Sequence, residues 1–172
     1  MSNSLKSRKW WGYVSEDLQE LFGESNLLID IFNNMDLVEA QGVREFHDYS
    51  FIVFPAAKGF EGFLKTLFKD MGFISEGEFF SKRFRIGKAL NPALERELGA
   101  RESVYDKLVD FCQGKKLSDE LWETWQSGRN SLFHWFPNEK NAVDFTEAKR
   151  IVDKILNAMD LAFEECKLNK YQ

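Results

Sequence analysis

The sequence predicts an all-α fold, a bundle of four to five helices, and three observations carry that expectation. Apolar residues recur at i, i+3 and i+4 spacing over several long windows. Only three prolines interrupt 172 residues. The β-branched runs that favour strands are scarce. A hydrophobic share of 44% beside 30% charge suits a chain that folds around a core. No linker, repeat or low-complexity segment divides it, so 1–172 reads as a single domain, with 1–45 an N-terminal helical extension.

The first helical window is "SEDLQELFGES", with Leu18, Leu21 and Phe22 on one face, Ser15 as N-cap and Gly23 as its end. Residues 26–39, with Leu27, Leu28, Ile31 and Phe32, form a second short helix or a bent continuation. The longest stripe runs over 49–68, through Ile52, Val53, Phe60, Phe63, Leu64 and Leu67. Pro55 kinks this helix or marks its first turn, and Gly72 stops it. Residues 75–99 are irregular or briefly helical, punctuated by Gly77, Gly87, Pro92 and Gly99. A helix over 102–112 turns Val104, Leu108, Phe111 and Cys112 inward. The next starts near Ser118 as a cap, with Trp122 and Trp125 on its buried side. Asp144 or Thr146 begins the last, striped by Ile151, Ile155, Ala158, Met159, Ala162 and Cys166.

Seventeen phenylalanines predict a core of packed rings. Cys112 and Cys166 have neither metal-knuckle nor redox-pair spacing and read as small buried hydrophobes. "RKWW" docks Trp10 and Trp11 on the core rather than on a membrane. No apolar run approaches the ~18 residues of a membrane span, so the expectation is a cytoplasmic protein without a membrane partner. A net charge of −5 argues against a general nucleic-acid coat protein. It leaves room for a local basic cleft, because binding responds to the local field. The charge is uneven: acids crowd the segment from Glu16 to Asp48, whereas "FFSKRFRIGK" sets Lys82, Arg83, Arg85 and Lys88 among Phe79, Phe80 and Phe84 with no acid. That mixture suits base stacking and phosphate contact, making these four cations candidate RNA-binding residues; the plainer reading is a solvated loop with its rings docked on the core.

The stretch "SGRNSLFHWFP" contains Arg129, Asn130 and one of only two histidines, His134. Five residues of regular helix separate side chains by about 140°. Arg129 and His134 can therefore cooperate only where the helix ends or distorts, which Gly128 and Pro137 make credible. The residue types fit phosphodiester chemistry. Imidazole exchanges protons near neutral pH, and guanidinium offers a rigid fork to phosphate oxygens and to charge developing there. With RNA the 2′-hydroxyl is an internal nucleophile, so the chemistry needs no metal. The plainer reading is a helix end whose cations face free carbonyls. His47 and Asp48 read as helix-start residues; two histidines and no Glu-x-x-His pair do not make a di-iron bundle.

"RNSLFH" resembles the Arg-(four to six residues)-His motif of the HEPN superfamily, with Asn130 as the polar residue that follows the arginine. "FPAAKGFEGFLKTLF" resembles the helix of the RNase LS-type HEPN domain: aromatic-Pro-Ala, then Glu-Gly, then an apolar run. The resemblance extends over roughly 49–166 and implies a HEPN-like helical bundle. It implies Arg129 and His134 as a catalytic pair with Asn130 and Glu61 in support, and Lys58, on the Glu61 helix that faces the motif, as a further RNA-binding residue. It also implies a homodimer with a composite cleft, RNA as substrate, no metal or other cofactor, and a toxin or phage-defence setting with a cognate antitoxin. The expected activity is metal-independent endoribonuclease; the alternative is a catalytically silent helical module binding a partner protein or nucleotide. From spacing alone, Lys58 and Glu61 form an i, i+3 pair, either a surface salt bridge or one partly buried near a site.

Overall fold

The computed structural model describes residues 5–35, 46–93, 103–134, 137 and 141–166. These residues form an all-α bundle: α1 Glu16–Met35, α2 Ser50–Asp70, α3 Glu76–Phe80, α4 Ile86–Ala89, α5 Val104–Cys112, α6 Lys116–Trp125 and α7 Phe145–Glu165. A π-helical turn, Gln126–Asn130, continues α6. Among the described residues no helix is long and apolar enough to cross a membrane.

The centre is α2, which packs against α1 on one side and α7 on the other, while α6 lies on α7 with α5 beyond it. Ile52, Val53, Phe63, Leu64, Leu67 and Phe68 of α2 are fully buried. Each such side chain contributes about 1.5–3 kcal/mol of burial. Two glycines bring α1 against the α2 backbone: a Cβ at Gly59 would meet Phe22 Cζ at 2.7 Å, and one at Gly62 would meet Leu18 Cδ2 at 2.5 Å. Trp10 is wholly buried with its ring centroid 5.2 Å from that of Phe22, so the tryptophan docking expected from "RKWW" is present. Arg8 pairs with Asp160 and Lys9 with Glu164 (2.8 Å), tying this segment to α7.

Pro55 lies inside α2 and is buried, so it is an interior proline and not a first-turn one. The rung beside it has an unusual partner. Ser25 of α1, fully buried, donates its hydroxyl proton to the Ile52 carbonyl (2.7 Å) and accepts from the Ala56 N–H (2.9 Å). A hydroxyl placed in the ladder satisfies both groups where proline strains the helix. The helix stops as expected: Gly72 takes φ 72, the left-handed region glycine enters freely.

Several local expectations are corrected. Gly23 does not end a helix; α1 runs through it to Met35, because its Cα faces open space and long-range packing outweighs a modest propensity cost. Leu27 and Ile31 face solvent, at 59% and 45% exposure, since the buried side of α1 is set by Phe22, Ser25 and Ile29. Phe111 is likewise 49% exposed, and Tyr105 fills the inward position on α5. Ser118 is not a cap: α6 begins at Lys116, and the buried Ser118 hydroxyl donates to the Tyr105 carbonyl at 3.3 Å. Asp144 caps α7 by accepting from the Glu147 N–H at 2.8 Å. Cys166 is buried, which pushes its thiol up to about 12; Cys112 is only half-buried, and its thiol is raised for the same reason. Residues 36–39, Gly99 and Glu102, parts of expected elements, lie outside the described residues.

Candidate functional site

Arg129 and His134 depend on the end of α6. The helix keeps α geometry to Trp125 and then widens: the Ser131 N–H donates to the Gln126 carbonyl at 2.9 Å, a π-type step. Gly128 is what lets this turn lie on α7, for a Cβ there would come within 3.1 Å of Ile155 Cδ1. Two residues later the helix is over. The backbone oxygen of His134 accepts from Asn141 Nδ2, which also reaches the Ser131 carbonyl at 3.2 Å. Farther on, Asp48 Oδ1 accepts from the Val143 N–H (3.2 Å), and the Val143 carbonyl accepts from the Tyr49 N–H (2.9 Å). The chain after the motif is thereby tied to the start of α2. The distortion that the Arg–His spacing demanded exists, as a π-helical turn rather than a simple helix end.

Arg129, Asn130 and His134 line one cleft of about 640 Å³ together with Glu61 and Lys65 of α2, Lys82 and Arg85 of the loop before α4, and Lys88 of α4. Glu61 lies 3.4 Å from Arg129 (Oε2 to Nη2), and the guanidinium carbon sits 5.1 Å from the ring centroid of Trp125. The carboxylate thus holds the guanidinium laterally while the indole supports it from below. Trp125 in turn lies on Gly87, where a Cβ would stand 2.5 Å from the indole Nε1. The Arg129 side chain remains 40% exposed, so its fork still meets solvent, and His134 is exposed at the rim. Five cationic side chains against one carboxylate make this cleft basic in a protein whose net charge is −5.

The predicted residues are therefore largely brought together, with two departures. Lys58 is exposed and does not line the cleft; Glu61 pairs with Arg129 across the bundle rather than lying only beside Lys58. Arg83 lines a smaller neighbouring cavity of about 190 Å³ that shares Phe84, Arg85 and Lys88 with the cleft. Three residues of the site were not anticipated. Lys65 could have been found as the i+4 neighbour of Glu61, and Trp125 as the i−4 neighbour of Arg129. Asn141 carries no local signal at all.

Phosphate chemistry suits the arrangement. An anchored guanidinium and an exposed imidazole that line the same basic trough can hold a phosphodiester and exchange a proton with its oxygens. Among the described residues no group of three or more His, Cys, Asp or Glu side chains is placed to hold a metal ion.

Residues 21–94 match the family model described as RnaseLS-like HEPN. The match begins earlier than the resemblance read from the motifs, taking in most of α1, and it ends before Arg129 and His134. It includes "FPAAKGFEGFLKTLF" and hence Glu61, Lys65 and the basic loop. No curated protein and no solved structure matches the chain. Across 21–94, from the end of the first turns of α1 through α4, this chain resembles the HEPN superfamily in its RnaseLS-like branch, a family whose domains are often ribonucleases.

Proposed function

We propose that the chain is a metal-independent endoribonuclease of the HEPN type, acting on single-stranded RNA in the cytoplasm as a toxin or defence enzyme. One observation supports this most: Glu61, distant in sequence, meets Arg129, Asn130 and His134 in a single cleft whose other charged residues are all cations. Arg129 binds the scissile phosphate and stabilises the charge that develops on its oxygens. Glu61 orients Arg129, and Asn130 sits at the cleft wall as a neutral hydrogen-bonding neighbour. The RNA 2′-oxygen attacks phosphorus, the bond to the 5′-oxygen breaks, and the products are a 2′,3′-cyclic phosphate and a 5′-hydroxyl. His134 takes the proton from the 2′-hydroxyl or delivers one to the departing 5′-oxygen. One imidazole cannot do both in a single step, and a homodimer that pairs two clefts supplies the second. Lys65, Lys82, Arg85 and Lys88 carry the flanking phosphates.

Incubation with single-stranded RNA in EDTA tests this. Native protein is expected to cut, with His134→Ala and Arg129→Ala each slowing cleavage by about 10²-fold or more. Absence of cleavage by the native protein, or an unchanged rate in His134→Ala, removes the proposal. Growth arrest on expression in a bacterium, relieved by His134→Ala or by a cognate antitoxin, tests the biological setting.

A second reading, a catalytically silent module that binds a partner protein or nucleotide, draws on one observation. Glu61 and Trp125 already engage Arg129 within the protein. RNA binding without cleavage, or no RNA binding at all, is its signature.

A further inference from the structure

The basic loop does not face one cavity. Lys82 lines the main cleft, whereas the next residue, Arg83, lines the smaller cavity beside it. The wall between the two is made by Phe84, Arg85 and Lys88, which border both. We propose that the smaller cavity is a subsite for the nucleotide adjoining the scissile phosphate on a single RNA strand, with Phe84 stacking its base and Arg83 meeting its phosphate. The inference rests on reading the main cleft as an RNA site.

Four features of the cavity carry it. Its volume, about 190 Å³ against about 640 Å³ for the main cleft, makes it a side chamber of that cleft rather than a second trough. Phe84 is half-buried and packed against the core while bordering both cavities, so its ring is held in place at the shared wall. Ser81 accepts from the Arg83 N–H at 3.1 Å, which holds the turn that sends Lys82 and Arg83 to different cavities. Glu78 adds one carboxylate among the cations, anchored because it accepts from the Ser75 N–H and hydroxyl at 2.7 Å each. A carboxylate wall disfavours a bare phosphate and accepts from the amino edge of a base, so the cavity suits a whole nucleotide unit rather than a free anion. Aromatic stacking flanked by cations is the general means of holding single strands without a sequence code.

The test uses the His134→Ala protein, which the nuclease reading makes non-cutting, with fluorescent oligoadenylates of roughly two and six nucleotides, lengths below and within the usual span of such sites, and with adenosine 5′-monophosphate as competitor. The longer strand is expected to bind about tenfold tighter than the shorter. Adding Arg83→Ala should shrink that gain by the loss of one phosphate contact, weakening the longer strand more than the shorter. In the cutting protein Arg83→Ala should raise KM about tenfold at constant kcat, and Phe84→Ala, at the wall shared with the main cleft, should raise KM as well. Arg83 is exposed, so its variant tests the site without threatening the fold. Equal affinity of the parent for both lengths overturns the subsite, as does an Arg83→Ala protein that binds both like its parent or weakens for both alike. Competition by the mononucleotide as strong as that by the longer strand assigns the cavity to free nucleotides and equally overturns it. A native protein that cuts nothing, yet keeps the Arg83-dependent length gain, would end the nuclease reading while leaving the subsite intact.

Discussion

Arg129 is held by two neighbours of different kinds, and they should respond differently to substitution. The Glu61–Arg129 pair is partly exposed, and such pairs contribute only ~0–1 kcal/mol to stability. Glu61→Gln is therefore expected to leave the urea midpoint nearly unchanged and to show itself in the cleavage rate. Gly87 is the opposite case. An added methyl would press on the Trp125 indole, and crowding of that kind costs about 1–3 kcal/mol. Gly87→Ala should lower both thermal stability and cleavage, because the support beneath the guanidinium moves; a protein that melts and cuts like the parent would refute this. Tyr105 gives a pH-dependent prediction. Burial, with the hydrogen bond it donates to Asp119 Oδ1 (2.6 Å), pushes its phenol from 10 up to about 12. The folded state then keeps its proton where the unfolded chain releases it. This stabilisation is complete below pH 10 and is lost as pH rises toward 12. Urea unfolding of Tyr105→Phe across that window should show a shallower loss than the parent, and equal slopes would contradict the assignment.

Helices in this bundle are interrupted where another element needs the space or supplies the missing partner. In α2 the strain of Pro55 is met by a hydroxyl from a different helix, Ser25 of α1. Removing it exposes a buried carbonyl and N–H to each other across a distorted rung. Ser25→Ala is expected to cost about 1–3 kcal/mol in chemical unfolding, and a neutral result would mean that the rung closes by itself. The π-helical turn after α6 is the second interruption, and it sets the direction of Arg129. A methyl at Gly128 faces the flexible end of Ile155, so Gly128→Ala should cost less than ~1–3 kcal/mol, the usual penalty of overpacking. It should nevertheless slow cleavage several-fold by lifting the turn from α7, a divergence between melting and activity that can be measured on one preparation.

Taken whole, the chain is acidic, and the cleft around Arg129 is a concentrated basic trough among the described residues. Binding of single-stranded RNA should therefore weaken steeply with salt, by a log–log slope of about −0.7 per phosphate contacted. Replacing Lys82 and Arg85 together by Glu is expected to remove about two contacts' worth of that slope, which titrations at three salt concentrations would reveal. An unchanged slope would place the strand elsewhere. The proposed homodimer, which would supply a second imidazole, predicts a two-chain mass in sedimentation equilibrium at the concentrations where cleavage is seen.

The helical stripes were legible because they repeat within a few residues: α2, α7 and the inward face of α5 through Val104 and Leu108 follow from local period alone. Where the reading failed, at Gly23, Phe111 and Ser118, the outcome rested on which neighbour the element met, and periodicity holds no information about neighbours. The same division runs through the site. Arg129, Asn130 and His134 stand within six residues and announced themselves, as did the cations of the basic loop. Their meeting with Glu61 and the support from Trp125 on Gly87 are contacts over long sequence separations. Packing of α2, α4 and the turn after α6 fixed them, because only a close-packed interior specifies which distant side chains share a cleft.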